Sequence, residues 1–463
     1  MPSPFHPGLA HVLSLLHLAA VATGLLLYVA LTHGGRQRRA PAAALAWVIA
    51  LVAFPYLALP AYLLLGTRKL AHAGTVAATQ ATATDEAAWV HALTRGLGLP
   101  PARRCRAIRL AADGADALDA LLAVLDGARR RIDIEIFLLR DDPVGRRVAD
   151  ALARARARGV AVRVLLDGVG AFAGHRRTLR LLRAADADVR WFAPLRLRLR
   201  PRFGRGNLRN HRKLVVADGA VMWSGGRNLA REYFLDAPGT HAWRDLSLVV
   251  EGGISADAAA AFENDWRLAA GLPVAETVPT ADVADGPLLQ LLPSGPDQRD
   301  DTVHALLLGA IHRADERLLV ATPYFVPDDA LQLALVLAAR RGVRVELLLP
   351  ARSNHWLADI ARQRSLRELA AAGATIHLLP TMLHAKAFVV DATLASTGST
   401  NLDGRSLFLN YELNVLFHDA AQIDALSGWF AALRAQSSPY IARAPGWARD
   451  IGEGLVRAVG FQL

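Results

Sequence analysis

The sequence predicts an α/β fold of two similar units, with mixed sheets flanked by helices about a pseudo-twofold axis, preceded by an N-terminal transmembrane helical hairpin. Three observations predict it: two long apolar runs near the N-terminus, an alternation of helices and strands that occurs twice, and one polar-then-apolar motif that also occurs twice. Helices and strands alternating at this length imply α/β layers. A repeat of about 170 residues implies a duplicated body. The expected divisions are 1–70 for the membrane hairpin, 71–108 for an Ala/Thr-rich linker with a short helix, 109–285 for the first unit and 286–463 for the second.

The first apolar run, Leu9 to Leu31, is interrupted only by His11, His17 and small polar residues; the second, Pro41 to Gly66, has no charge. Each can cross a hydrocarbon core of about 30 Å at about 1.5 Å per residue. A cleaved signal peptide fits the first run poorly, because no Lys or Arg precedes it and it is long. Arg36, Arg38 and Arg39 lie between the runs, and Arg68 and Lys69 follow the second, so both flanks are basic and orientation stays open. Pro55 and Pro60 also permit a kinked or re-entrant second segment.

Beyond the linker, Asp116 to Arg129 reads as a helix capped by Asp116, and Ile132 to Phe137 as a strand. Val148 to Arg158 is a second helix closed by Gly159, followed by a buried strand from Val160 to Leu166. The later half repeats the pattern. A helix near Ala305 to Ala314 precedes a strand from Arg317 to Ala321, then a helix from Leu331 to Arg341, Gly342 and a strand from Val343 to Leu349. A site between two such units is the expected place for paired groups.

The net charge of +11 favours a polyanionic partner, whether nucleic acid, anionic lipid or a phosphate-bearing substrate; a general drift toward Arg and Ala would give the same sign. Cys105 is the only cysteine, which rules out an internal disulfide and a CxxC metal site. Lysine is more informative. Of 53 basic residues only Lys69, Lys213 and Lys386 are lysine, and two of these three sit in the same local pattern. An ammonium offers a point charge that a planar guanidinium does not, which suits contact with a single phosphoryl oxygen.

That pattern is His211-Arg212-Lys213, then Asp218, then Gly225-Gly226-Arg227-Asn228; its second copy is His384-Ala385-Lys386, then Asp391, then Gly398-Ser399-Thr400-Asn401. All offsets agree. His and Lys two apart on a strand share a face, and Asp followed by a small residue reads as a turn into a second strand. A glycine turn at the end of that strand lets backbone and Asn approach a phosphate. Each copy is thus expected to be a hairpin forming a phosphate-binding half-site, with Asp218 and Asp391 holding the hairpin and Asn228, Ser399 and Asn401 at the phosphate. Two histidines suit a double displacement at phosphorus, in which one imidazole attacks and the other protonates the leaving alcohol and deprotonates the incoming one.

With these residues the chain resembles the phospholipase D superfamily, with two HKD motifs, and within it the bacterial cardiolipin synthases. The apolar runs, Thr322-Pro323-Tyr324-Phe325-Val326-Pro327, and Gly398 to Asp403 with Arg405-Ser406 carry the likeness to the synthase branch. The resemblance implies two phospholipase D-like units and a catalytic set of His211, Lys213, Asp218, His384, Lys386 and Asp391 working through a phosphohistidine without metal or cofactor. It implies His211 as nucleophile and His384 as acid/base, although pseudo-symmetry leaves the reverse assignment open. It also implies an acid after each motif that orients a histidine, at Asp245 and Glu412; without it either acid could equally be a surface strand residue. As a synthase the chain would join two phosphatidylglycerol molecules into cardiolipin, releasing glycerol, as a multi-pass protein of the bacterial inner membrane with a cytoplasmic body. A hydrolytic phospholipase D or another phosphatidyltransferase remains open. A superfamily nuclease would not need the apolar runs, and a dead scaffold would not keep both motifs whole.

Two further features are noted. Leu195 to Arg200 alternates Leu and Arg, and with Arg202, Arg205 and Arg209 it reads either as a basic lip for headgroups or as a charged edge hairpin. Trp429, Phe430, Tyr440, Trp447 and Phe461 near the C-terminus fit an interfacial helix or ordinary packing.

Overall fold

A computed structural model describes residues 7–34, 41–66, 68–69, 88–170, 174–193, 207–273 and 285–458. The lip at Leu195 to Arg205, Arg36 to Arg39, residues 71–87 of the linker and Phe461 lie outside these residues. The apolar N-terminal helices and the α/β body fall into two separate compact units.

In the N-terminal unit the first apolar run is one helix, Pro7–Gly34, and its segment His11–Thr32 is long and apolar enough to cross a membrane. Of the two readings of the second run, a single span or a segment broken at its prolines, the helices fit the second. The run divides into helices Pro41–Ala53 and Pro55–Leu65, of 13 and 11 residues. Pro55 has no N–H and disfavours helical backbone at the residue before it, so Phe54 sits at φ −137° between them. Tyr62 ties this unit together: its hydroxyl lies 3.1 Å from Thr32 Oγ1, and its ring meets Tyr28 and Trp47 at 5.3 and 5.1 Å.

The body holds two mixed sheets whose strands correspond one to one. In spatial order the first sheet runs Ala107–Ala111, Ser247–Glu251, Val221–Gly225, Leu214–Ala217, Arg131–Ile136, Ala161–Asp167 and Asp188–Phe192. In the same order the second contains Leu288–Ser294, Glu412–Phe417, Leu394–Gly398, Ala387–Val390, Arg317–Ala321, Arg344–Pro350 and Thr375–Leu379. Short strands at Arg103–Arg104 and Ser438–Pro439 extend its two edges. In each, the last three strands run parallel and the others pair antiparallel. The central strands are flanked by helices and read as apolar runs because both faces are covered.

The helices differ from expectation mainly at their starts. The first begins at Gly114, and its N-cap is Asp113, whose carboxylate accepts from Ala115 and Asp116 N–H; Asp116 sits in the first turn and pairs with Arg109. Asp116, the cap expected from the sequence, lies inside the helix, and the extended backbone that a cap needs belongs to Asp113. Likewise Asp142 caps Pro143–Ala157 and Asp328 caps Asp329–Arg340. Gly159 and Gly342 follow these helices at φ +86° and +95°, a left-handed conformation that favours glycine. The guanidinium before each glycine donates to carbonyls at the end of a neighbouring helix: Arg158 to Asp126 and Ala128, Arg341 to Ile311 and Ala314.

The segment read as linker ends in ordered structure. Helix Ala88–Gly96 buries Val90 in the core of the second half, with Trp89 and Leu93 packed against it. Arg103 and Arg104 pair with Leu289 and Leu288, whereas Ala107–Ala111 joins the first sheet. Helix Ala88–Gly96 is the short one expected within 71–108.

Candidate active site

Each motif begins just before its strand, not within it. His211 to Lys213 lead into Leu214–Ala217, and His384 to Lys386 into Ala387–Val390. These leading residues pair with the other half of the body. His211 N–H donates to Tyr411 O at 2.9 Å and Tyr411 N–H to Arg209 O at 2.9 Å. Its counterpart is His384 N–H to Arg244 O at 2.7 Å, with Arg244 N–H to Met382 O at 2.8 Å. Two short backbone bridges thus stitch the halves together beside the histidines.

The same crossing governs the side chains. His211 Nδ1 lies 3.0 Å from both oxygens of Glu412, and His384 Nδ1 lies 2.7 Å from Asp245 Oδ2. Each imidazole is therefore held by the acid of the opposite half, 201 and 139 residues away in sequence. Both acids are fully buried, and the imidazoles are 13% and 5% exposed. Burial lowers His211 to about 4 and His384 to about 3; Lys213 and Lys386 push in the same direction, and the facing carboxylates push back only in part. Burial also opposes ionisation of Asp245 and Glu412, but the hydrogen bonds from their histidines and the charge of the neighbouring lysines hold both below the usual carboxylate range. A neutral imidazole donating Nδ1–H to a carboxylate leaves the Nε2 lone pair available.

The lysines are buried beside these pairs. Lys213 Nζ donates to His211 O at 2.7 Å, and Lys386 Nζ lies 2.8 and 3.1 Å from the ring nitrogens of His384 and donates to His384 O. Burial lowers Lys386 to about 8 and Lys213 well below its ordinary value. Two buried ammonium groups facing two acids make a site built for anions. The histidines differ in their walls. Phe137 meets His211 edge-on at 5.1 Å, whereas Tyr233 and Trp243 enclose His384 at 4.9 and 5.5 Å.

The remaining expected residues fall into three places. Asp218 and Asp391, which the resemblance groups with the catalytic set, sit at the hairpin turn where the motif reading expected them, and their carboxylates bind backbone N–H groups. At φ +56° and +50°, their carboxylates accept from the N–H groups of residues 129–131 and 315–317 at 2.7–3.0 Å. They fasten the hairpin turn to the start of the central strand. Asn228 and Asn401 are buried and held alike, Nδ2 donating to Tyr233 Oη at 2.9 Å and to Ser406 Oγ at 3.3 Å. Ser399, expected at the phosphate, has protein partners on its hydroxyl. Its hydroxyl donates to Glu412 Oε2 and accepts Leu413 N–H at 2.9 Å, so it braces the acid behind His211. At the matching position a Cβ on Gly226 would stand 2.2 Å from Asp245 Oδ1, so the shorter acid requires glycine there.

Sequence reasoning missed the aromatic walls and a buried charge network behind the first motif. Arg212 pairs with Asp265, donates Nε–H to Glu412 O at 3.1 Å, and reaches Asp297 at 3.4 Å. Burial and the neighbouring Asp265 push Glu135 well above the usual carboxylate range, and Asn210 donates to it. In the second motif Ala385 occupies the place of Arg212. The contrast His-Arg-Lys against His-Ala-Lys was visible in the sequence; its meaning needed Asp265, which no motif marks.

A family model described as "Cardiolipin synthase, PLD-like domain" matches residues 121–266 and 307–434. The chain is 35% identical over 416 residues to "Cardiolipin synthase A" of Pseudomonas fluorescens (strain SBW25), covering 85% of this chain and 86% of that one. It is 33% identical over 445 residues to the protein of that name from Pseudomonas putida (strain KT2440), covering 91% and 90%. Among solved structures, the phosphatidylserine synthase of Haemophilus influenzae Rd KW20 shares the fold with a TM-score of 0.62 at 15% identity, over 80% of this chain and 99% of that one.

Proposed function

The chain belongs to the cardiolipin synthase family of phospholipase D-type phosphatidyltransferases, and we propose that it moves a phosphatidyl group from one phosphatidylglycerol to the hydroxyl of a second, giving cardiolipin and glycerol. The observation that carries this reading is the crossed pair of His–carboxylate contacts, which gives one buried cluster two imidazoles anchored through Nδ1 and two lysines.

In this scheme His211 Nε2 attacks the phosphodiester phosphorus as the P–O bond to glycerol breaks, leaving the phosphatidyl group on His211. His384 supplies the proton that the departing glycerol oxygen needs. Its imidazole is neutral in the empty site, because burial and Lys386 disfavour a second positive charge. An entering phosphodiester anion offers the ammonium a better partner and lets His384 take up a proton. Lys213 and Lys386 neutralise charge on the phosphoryl oxygens, with Asn228 and Asn401 beside them. In the second step His384 removes the proton from the acceptor hydroxyl, which attacks phosphorus and frees His211.

The body would act on the cytoplasmic side of the inner membrane, with helices Pro41–Ala53 and Pro55–Leu65 completing a multi-pass anchor begun by Pro7–Gly34. Purified full-length protein with labelled phosphatidylglycerol tests the reading. Cardiolipin and glycerol in equal amounts are expected; phosphatidic acid alone would show water as the acceptor and overturn it.

A further inference from the structure

The last described helix, Trp447–Ala458, is packed with its polar side inward. Glu453 is buried and pairs with Arg367 at 2.7 Å and Arg449 at 2.8 Å, Asp450 also faces Arg367 at 3.6 Å, and Arg457 reaches Asp329 at 3.0 Å. Val456 alone joins an apolar cluster, with Ala358 and Ala361 of helix Trp356–Ala371. The other side of the helix carries Trp447, Ile451 and Leu455, which are 81%, 56% and 68% exposed. Positions four apart form one stripe. A helix that only closes the domain would turn that stripe to the core.

The surroundings identify what covers it. The two helices run antiparallel, since Arg367 meets Asp450 and Glu453 while Ala358 and Ala361 meet Val456, so Trp356 (68% exposed) lies toward the Leu455 end. Ile441, 69% exposed, precedes the helix. Glu453 is buried against Arg367, Asp450 lies 3.6 Å from Arg367 with its side chain 59% exposed, and Arg443 and the Arg449 side chain, 62% exposed, are open on the same helix and its approach. The outer surface is therefore apolar with a tryptophan at its edge and a rim that is basic on balance, Arg443 and Arg449 against Asp450, the pattern of a helix lying in the headgroup region of an anionic bilayer. Three side chains on a helix about 18 Å long fall short of the ~800 Å² per partner that a stable protein interface needs.

We propose that Trp447–Ala458 is an interfacial helix that docks the α/β body on an anionic lipid surface through Trp447, Ile451 and Leu455. This does not depend on which lipid is donor or acceptor, nor on the histidine roles.

The test uses the full chain with Ile451→Cys, labelled with a fluorophore and placed in nanodiscs of phosphatidylglycerol and phosphatidylcholine. Cys105 is fully buried, and the parent chain, carried through the same labelling, measures any background. Nitroxide-bearing lipid should quench the label several-fold more strongly than aqueous iodide. Discs of phosphatidylcholine alone should weaken that quenching. Trp447→Ser with Leu455→Ser in the labelled chain should return the label to iodide with an unchanged melting temperature. Free access of iodide in the anionic discs would overturn the proposal, as would shielding from both quenchers, which would mean that a second copy or another protein covers the stripe. Equal lipid quenching in both disc types would overturn the anionic assignment, and lipid quenching that survives the serine changes would overturn the role of the stripe.

Discussion

The two half-sites share a backbone plan and differ in how each acid is held. On the His211 side the acid is glutamate, braced by Ser399 and by Asn410 Nδ2 at 3.3 Å, and Arg212 reaches its backbone carbonyl. On the His384 side the acid is aspartate, one methylene shorter. Gly226 leaves it room, its Oδ1 accepts its neighbour Leu246 N–H at 2.7 Å, and Tyr233 and Trp243 wall the imidazole. The proposal places the phosphohistidine on the braced side and the proton transfers on the aromatic side. A nucleophile must return to one position in two successive displacements, so fixing its acid from several directions serves it.

The comparison breaks first at the histidines. His211→Ala and His384→Ala should each lower turnover by about 10⁴-fold or more, since neither half can do the other's work. A rate near that of the parent from either variant in the labelled-lipid assay would end the two-histidine scheme. Next come the acids. Glu412→Gln and Asp245→Asn should each cost about 10³-fold through the wrong imidazole tautomer. Because the contacts cross, Glu412→Gln should shift the imidazole nitrogen resonances of His211 and leave those of His384 in place; the opposite result would mean that each acid serves its own half. Gly226→Ser should cost about 10²-fold by displacing Asp245, and Ser399→Gly only about tenfold by loosening Glu412. Equal losses would remove the asymmetry.

Smaller effects concern pH and stability. The folded histidines sit near 4 and 3, below an ordinary value of 6.5. Between 6.5 and 4 the unfolded chain therefore binds more protons than the folded one, and stability falls as pH drops through that window. Melting temperatures in detergent should decline there, less steeply for His384→Ala. Above pH 8 Lys386 loses its proton, so kcat/KM should fall on that limb. Asp218→Ala should destabilise the body by about 2 kcal/mol, because it leaves three backbone N–H groups without their acceptor. The rate of the surviving folded fraction should stay close to the parent's.

Much of this was legible in the sequence because it is local. The motif spacing, the helix-closing Gly159 and Gly342, and the strand Arg317–Ala321 follow from offsets within a few residues. The scarcity of lysine singles out Lys213 and Lys386. What was hidden depends on contacts across the chain. Asp245 and Glu412 could be named, yet nothing local says that each serves the other half. Gly226 against Ser399 was visible as a difference, but its cause lies in acids of unequal length that approach from neighbouring strands. The second apolar run was long enough to span as one helix, and a single pre-proline residue, Phe54, divides it.

In the proposed scheme two crossed half-sites perform one phosphatidyl transfer with His211 as the covalent carrier. Its most direct test is a rapid acid-free quench of purified protein reacting with phosphatidylglycerol labelled in its phosphate, followed by peptide mapping alongside product analysis. The account predicts label on the His211 peptide before cardiolipin appears, none on the His384 peptide, and equal amounts of glycerol and cardiolipin at completion. Label on His384 alone, or cardiolipin formed by a chain that carries no label at either histidine, would contradict it.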